Sequence, residues 1–323
     1  MEPVTRLTSV ELPTELVLMI LKYAATPTFS QAEKYDAKNP YASALALCRV
    51  SRDVRRAVLP ELLHTVLLPE NRHLTAFLHA LRMQKEYAQQ GHHLHFEYAP
   101  HVHRIWIENI QKQALQAHWP NSVSLMAPVL LGAESFATDL SSLFLLSGCL
   151  EHAWNSRKNI ALECSQLPWR TRTLTFSHVT FLTPQRPLGF TPQGRAFLAS
   201  ISHVVSLSHP QAAHMHLLHR NVGLLGPGEH ILPPWMMQTS WNSFTALATI
   251  SLAVPHIELP VGASTFGAAN MPVQLLTFPS SAFPRSRDHF SQDDVQVTIS
   301  HTRIHYCSAC QDWEKAWAFG LCD

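Results

Sequence analysis

Charge is scarce in this chain of 323 residues. Charged residues make up 15% of it, well below the roughly one quarter usual in soluble domains. Neither sign prevails, with 24 Lys and Arg against 23 Asp and Glu and a net charge of +1. A global basic excess of the kind that marks nucleic-acid binders is missing, and so is the charge that would draw the chain to an acidic membrane. Glycine is sparse too, 11 residues against 22 proline, which points to a buried, loop-punctuated architecture rather than a disordered one. Six cysteines in this length make no disulfide framework and suit a reducing compartment. No apolar run approaches the roughly 18 residues of a membrane span. The short run Leu16 to Leu21 follows Glu11 and Glu15, with no basic segment before it, so it does not read as a signal peptide. The expected location is the cytoplasm or nucleus, with no membrane and no nucleic acid among the expected partners.

What is abundant is apolar surface and histidine. Apolar residues make up 46%, enough for a sizeable core, and 21 His are scattered along the chain. The first clear element starts at Leu12-Pro13-Thr14-Glu15-Leu16. Proline suits the first turn of a helix, where a missing N–H costs nothing, and Glu15 suits the positive end of the helix dipole. The spacing predicts a helix to about Ala25, stopped by Thr26-Pro27. Leu16, Met19, Ile20 and Tyr23 form one stripe, Val17, Leu21 and Ala24 a second, with Leu18 between them. A helix apolar on nearly all sides needs cover on nearly all sides, from the rest of the chain or from another protein.

Phe29 to Asn39 reads as a loop. A second helical pattern opens at Pro40 and carries Leu45, Leu47, Val50, Val54 and Val58 among Arg49, Arg52, Arg55 and Arg56. Pro60 is expected to break it, with Leu62, Leu63, Val66 and Leu67 as a short amphipathic end. The four arginines read as a solvated face.

Three pieces in order carry a resemblance. They are Leu12-Pro13-x-Glu15-Leu16-x-x-x-Ile20-Leu21, then Ala44-Leu45-Ala46-Leu47-Cys48-Arg49, then Leu59-Pro60-x-Leu62-Leu63-x-x-Val66-x-Leu68. Together they resemble the F-box pattern over Leu12 to Leu68, in the style of the large fungal (basidiomycete) set of F-box-like proteins. The Phe29-to-Asn39 loop is longer than in a typical F-box, and the aromatic residue often found after the Cys-Arg pair is absent. The resemblance implies a small three-helix module that binds the cullin adaptor of an SCF-type ubiquitin ligase. By position it implies Leu12, Pro13, Leu16 and Ile20 at that contact, with Leu45 and Leu47 supporting it.

Glu70 to Gln89 reads as a linking helix ended by Gly91. Beyond His101, strand-like pieces recur at Val102–Ile107, Leu150–Trp154, Arg172–Phe176, His203–Leu207, Leu247–Leu252, Gln274–Phe278 and Val295–Ile299. Ser122–Leu131, Ser135–Leu146 and Gly194–Ser200 read as helices between them. Strand plus connecting helix, repeated, predicts an irregular leucine-rich-repeat-like solenoid, with an ordinary α/β or α+β domain as the rival. The expected class is therefore α/β, with residues 1–69 a helical module, 70–100 a connector and 101–323 the repeat-like substrate-recognition domain. Such solenoids bind on the concave strand face or at the loops. Arg104, Trp106, His152, Trp154, His203 and Ser251 are candidates there, because aromatic and Arg side chains are common anchors. Trp313 and Trp317, one turn apart between Cys310 and Phe319, predict a helix that caps the last repeat.

Catalytic signals are weak. Ser264 in Gly262-Ala263-Ser264-Thr265-Phe266-Gly267 is one residue too long for a nucleophile elbow. The glycines of Gly223 to Gly228 lack a following Lys-Ser/Thr. His301-x-x-x-His305-x-Cys307-x-x-Cys310 has ligand types that suit zinc, as does His214-x-His216-x-x-His219, but both read as ordinary surface and core residues. No enzyme activity, metal or cofactor is expected. The expected function is a substrate-recognition adaptor of a cullin-RING ligase acting on an unknown protein substrate. A non-ligase scaffold with a degenerate F-box is the alternative, and an enzyme of unknown class a remote one.

Overall fold

The computed structural model describes residues 12–29, 39–111, 119–158, 167–177, 188–207, 239, 241–255, 270–282, 296–305 and 309–321. Three helices come first: α1 (Thr14–Ala25), α2 (Ala42–Leu47) and α3 (Arg52–His64). The pattern read as one helix from Pro40 is two, because Ser51 is extended and its Oγ accepts from the Val54 amide at 3.2 Å, starting α3 afresh. Pro60 does not break α3 but sits inside it. Its missing N–H leaves the Arg56 carbonyl without a helical donor, on a turn whose side chain is exposed. The Thr28 amide donates to the Pro40 carbonyl at 3.2 Å, so the two ends of the Phe29-to-Asn39 segment lie together. Residues 30–38 of that segment lie outside the described residues. Ala25, Ala44 and Val58 form the small core of this region, with Leu21, Leu47, Val54 and Leu62 packed on it.

The rest of the described residues form an α/β arrangement around one mixed sheet of eight strands. The strands are β1 (Thr65–Leu68), β2 (Arg104–Ile107), β3 (Ser135–Asp139), β4 (Thr173–Ser177), β5 (His203–Leu207), β6 (Thr249–Pro255), β7 (Asn270–Pro279) and β8 (Gln296–His305). They lie side by side in chain order, parallel from β1 to β6 and antiparallel from β6 to β8. Helices α4 (Asn71–Gln89), α5 (Trp119–Gly132), α6 (Leu143–Lys158) and α7 (Pro192–Ser200) connect successive strands, and α8 (Ala309–Ala318) follows β8.

Several expectations are corrected here. Of the expected amphipathic end, Leu62 and Leu63 close α3, whereas Val66 and Leu67 belong to Thr65–Leu68, the first strand of the sheet. Ser135–Asp139 is a strand, not the start of a helix, and Leu150–Trp154 is not a strand but lies within α6. Both errors come from short apolar runs whose period does not separate strand from helix.

From β2 to β6 each strand is joined to the next in the same way. The carbonyl of His103 accepts from the amides of Glu134 and Ser135 at 2.9 and 3.1 Å. The carbonyls of Glu134, Arg172 and Ser202 accept from Arg172 and Thr173, from Ser202 and His203, and from Ala248 and Thr249. This device fixes where each new strand begins, and register follows. Val66, Ile105, Phe136, Leu174, Val204 and Ile250 stand opposite one another in a row. All are buried in the main core against the α4–α7 side. Each such side chain stabilises the fold by about 1.5–3 kcal/mol relative to exposure. A slip by one residue would turn the row outward.

Candidate protein-interaction site

α1 is held down by little of its surface. Glu15 lies in its first turn and Lys22 in its last, each at the favourable end of the helix dipole. Pro13 is its N-cap, and its carbonyl accepts from the Leu16 and Val17 amides at 2.9 and 3.1 Å. Only Ala25 is buried. Leu18 and Leu21 are half-buried, while Leu16 is 44% exposed, Ile20 56%, Met19 and Tyr23 further still, and Leu12 just before the helix 48%. On the adjacent α2, Leu45 is 42% exposed, and Val50 just beyond it is exposed as well. Leu47 is half-buried and packs into the small core of Ala25, Ala44 and Val58. The six positions implied by the resemblance thus divide into outward Leu12, Pro13, Leu16, Ile20 and Leu45, and inward Leu47. Met19, Tyr23 and Val50 join the outward set, and the stripe Leu16-Met19-Ile20-Tyr23 is the sequence signal for two of them.

Tyr41 ties this region to the sheet, a role with no sequence signal. Its hydroxyl donates to the Thr65 carbonyl at 2.8 Å and accepts from the Leu67 amide at 3.1 Å. It therefore satisfies backbone groups on the outer side of β1, an edge strand. Burial pushes its phenol well above the usual range, a push only partly offset by the Leu67 hydrogen bond. Phe29 meets the Tyr41 ring edge-on, centroids 5.9 Å apart.

The strand face opposite α4–α7 carries Arg104, Trp106, His203 and Ser251, and much of it is already occupied. α8 does not cap the end of the sheet but packs on this face. Trp313 and Trp317 are fully buried in a second core with Trp106, Ala137, Val205, Leu207 and Ala253. Arg104 donates to the Trp317 carbonyl and, at 3.5 Å, to that of Ala318. Trp106 is wholly buried, and its indole N–H donates to Glu108 at 3.2 Å, whose other oxygen accepts from Ser177 at 3.0 Å. Arg104 and Trp106 are thus structural.

His203 is exposed, whereas Ser251 is buried. His203 Nδ1 lies 2.8 Å from Thr249 Oγ1, and Ser251 Oγ 3.0 Å from Thr277 Oγ1. With Thr173, Val205 and Leu321 they border a cavity of ≈ 120 Å³. His152 and Trp154 are elsewhere, on α6. His152 is exposed, while Trp154 stacks on Trp169 with centroids 6.2 Å apart.

Among the described residues no group of three or more His, Cys, Asp or Glu is placed to hold a metal ion. His301 and His305 lie on β8 and Cys310 in α8. Cys307, the His214-to-His219 run, Ser264 and the Gly223-to-Gly228 segment lie outside the described residues. Among the described residues no helix is long and apolar enough to cross a membrane. In comparisons with known proteins, no family model, no curated protein and no solved structure matches this chain.

Proposed function

We propose that this chain is a substrate-recognition subunit of a cullin-RING (SCF-type) ubiquitin ligase and performs no catalysis of its own. In this reading α1–α3 are an F-box-like module whose outward face meets the cullin adaptor. Leu12, Leu16, Ile20 and Leu45 are the anchors, Pro13 sets the start of α1, and Leu47 holds α2 in place. The parallel strands in chain order, with helices along one face, are the leucine-rich-repeat-like domain that receives an unknown protein substrate. Such a role implies the cytoplasm or nucleus.

The observation that carries the reading is the uncovered face of α1. A scaffold in which a degenerate module merely packs on its own chain would bury those side chains, and they are exposed. A few apolar anchors seated in a partner's groove carry most of the energy of such contacts. The repeat part draws support from the recurring carbonyl that accepts two amides at the starts of β3 to β6.

Co-expression with the cullin adaptor tests it. Wild-type protein should co-elute with the adaptor in size-exclusion chromatography, and Leu12→Asp with Leu16→Asp should abolish co-elution while the chain stays folded. A folded wild type that never co-elutes ends the ligase reading.

A further inference from the structure

α3 places Arg52, Arg55 and Arg56 beside the segment that follows α4. Together with Leu59 of α3 and with His93 and Phe96, they line a narrow cleft. Both walls are fixed. Gly91 takes the left-handed conformation (φ 60°) that lets α4 end, and the His92 amide closes the turn on the Tyr87 carbonyl at 2.8 Å. The His92 ring stacks on Tyr87 and on His93, at 4.6 and 4.3 Å between centroids. The Phe96 amide donates to Oε1 of buried Gln84 at 2.8 Å. Burial raises the Tyr98 phenol pKa, and the nearby Arg55 cation opposes that shift.

The cleft is cationic without an internal counter-charge. Arg52, Arg55 and Arg56 form no ion pair with a described residue, and the pairs that are formed, Arg72–Glu70 and His103–Glu134, lie elsewhere. Arg52 and Arg56 are four residues apart on one helix, a like-charge spacing that disfavours the helix. Desolvation in the cleft, then the fields of His92, Arg52, Arg56 and Arg55, hold His93 below the usual imidazole range. Every charged group acting on that ring is a cation. Positive charge gathered in a cleft with apolar walls raises the local concentration of anions.

We propose that this cleft recognises a phosphorylated segment of a partner protein, with Arg52 and Arg56 donating to the phosphate oxygens and Arg55 as the third donor. A carboxylate is matched by one guanidinium fork, whereas a phosphate dianion offers three acceptor oxygens to several forks at once. A nucleic-acid backbone needs a basic stripe to follow, and the chain as a whole has 24 basic against 23 acidic residues. The inference is independent of the adaptor reading, since α1 packs against the Val54, Val58 and Leu62 side of α3.

Fluorescence anisotropy on the full chain tests it. The probes are a labelled peptide mixture with a central phosphoserine between randomised positions, the same mixture with serine or glutamate at the centre, and a short single-stranded RNA. The phosphoserine mixture should bind at least about tenfold more tightly than either peptide control and than the RNA. R52Q/R56Q should weaken it about tenfold or more. R52K/R56K, which keeps the charge and loses the planar fork, should fall between. R195Q removes an exposed charge on α7 and should leave binding unchanged. Absence of phosphoserine binding by folded wild type, equal binding of the three mixtures, tighter binding of RNA, or an equal loss in R195Q would each overturn the proposal.

Discussion

The indole N–H of Trp317 donates to the hydroxyl of Thr175 at 3.2 Å, across 142 residues of sequence. The guanidinium of Arg104 lies 4.5 Å from the centre of the same indole ring. One side chain thus joins the C-terminal helix to β2 and β4. Trp317→Ala would remove a fully buried aromatic and should cost about 3–5 kcal/mol. Trp317→Phe keeps most of the packing but leaves the buried Thr175 hydroxyl without its donor, and should cost less, about 1–3 kcal/mol. Urea unfolding measures both. A stability within error of wild type for Trp317→Ala would mean that α8 is not part of the fold's core.

Tyr41 supplies the second prediction. Tyr41→Phe leaves the ring beside Phe29 and removes one hydroxyl that serves both Thr65 and Leu67. The loss should be about 1–3 kcal/mol, and it should be local. Amide exchange at Leu67 should quicken several-fold while exchange at Ile105 and Leu174 on the inner strands follows global stability. Unchanged protection at Leu67 would show that β1 needs no such partner.

His93 makes stability depend on pH in a set direction. Its folded-state pKa lies below the ordinary value near 6.5, so the unfolded chain takes up the proton first as pH falls. Stability is therefore full above about pH 6.5 and declines as pH drops through the folded-state value. Desolvation first, then the fields of His92 on its own segment and of Arg52, Arg56 and Arg55 on α3, set this sign. His93→Gln should flatten the slope of stability against pH between about 7 and 5. A steeper slope in the variant would reverse the assignment.

How much of this was legible in the sequence varies by element. His203–Leu207 is legible as a strand, because a short run with adjacent Val204 and Val205 lies between polar Ser202 and Ser208. α4 and its stop at Gly91 were legible from an apolar stripe followed by glycine. β3 was not. Ser135–Asp139 is short and flows into Leu143–Leu146, and the break depends on Asp139, whose carboxylate accepts from the Ser142 amide at 2.9 Å and from the Ser141 hydroxyl. The helical character of 310–319 was legible, but its place was not. Arg104 meets the carbonyls of Trp317 and Ala318 across more than two hundred residues, and no local pattern carries a contact of that range. For the same reason Arg104 and Trp106 read as binding anchors when they are packing residues. The candidate site was half legible: periodicity showed that α1 is apolar on nearly all sides, and only the fold shows that Leu16 and Ile20 are left uncovered while Leu21 and Ala25 are not.

The uncovered face of α1 is the centre of the account, and isothermal titration of the purified chain with the cullin adaptor tests it most directly. Wild type should bind with a negative heat-capacity change, the mark of apolar burial. Leu16→Asp with Ile20→Asp, two exposed positions whose change should leave the urea midpoint nearly unmoved, should weaken binding by about a hundredfold or more. A folded wild type that releases no heat and shows no association, or a double variant that binds as tightly as wild type, would contradict the account.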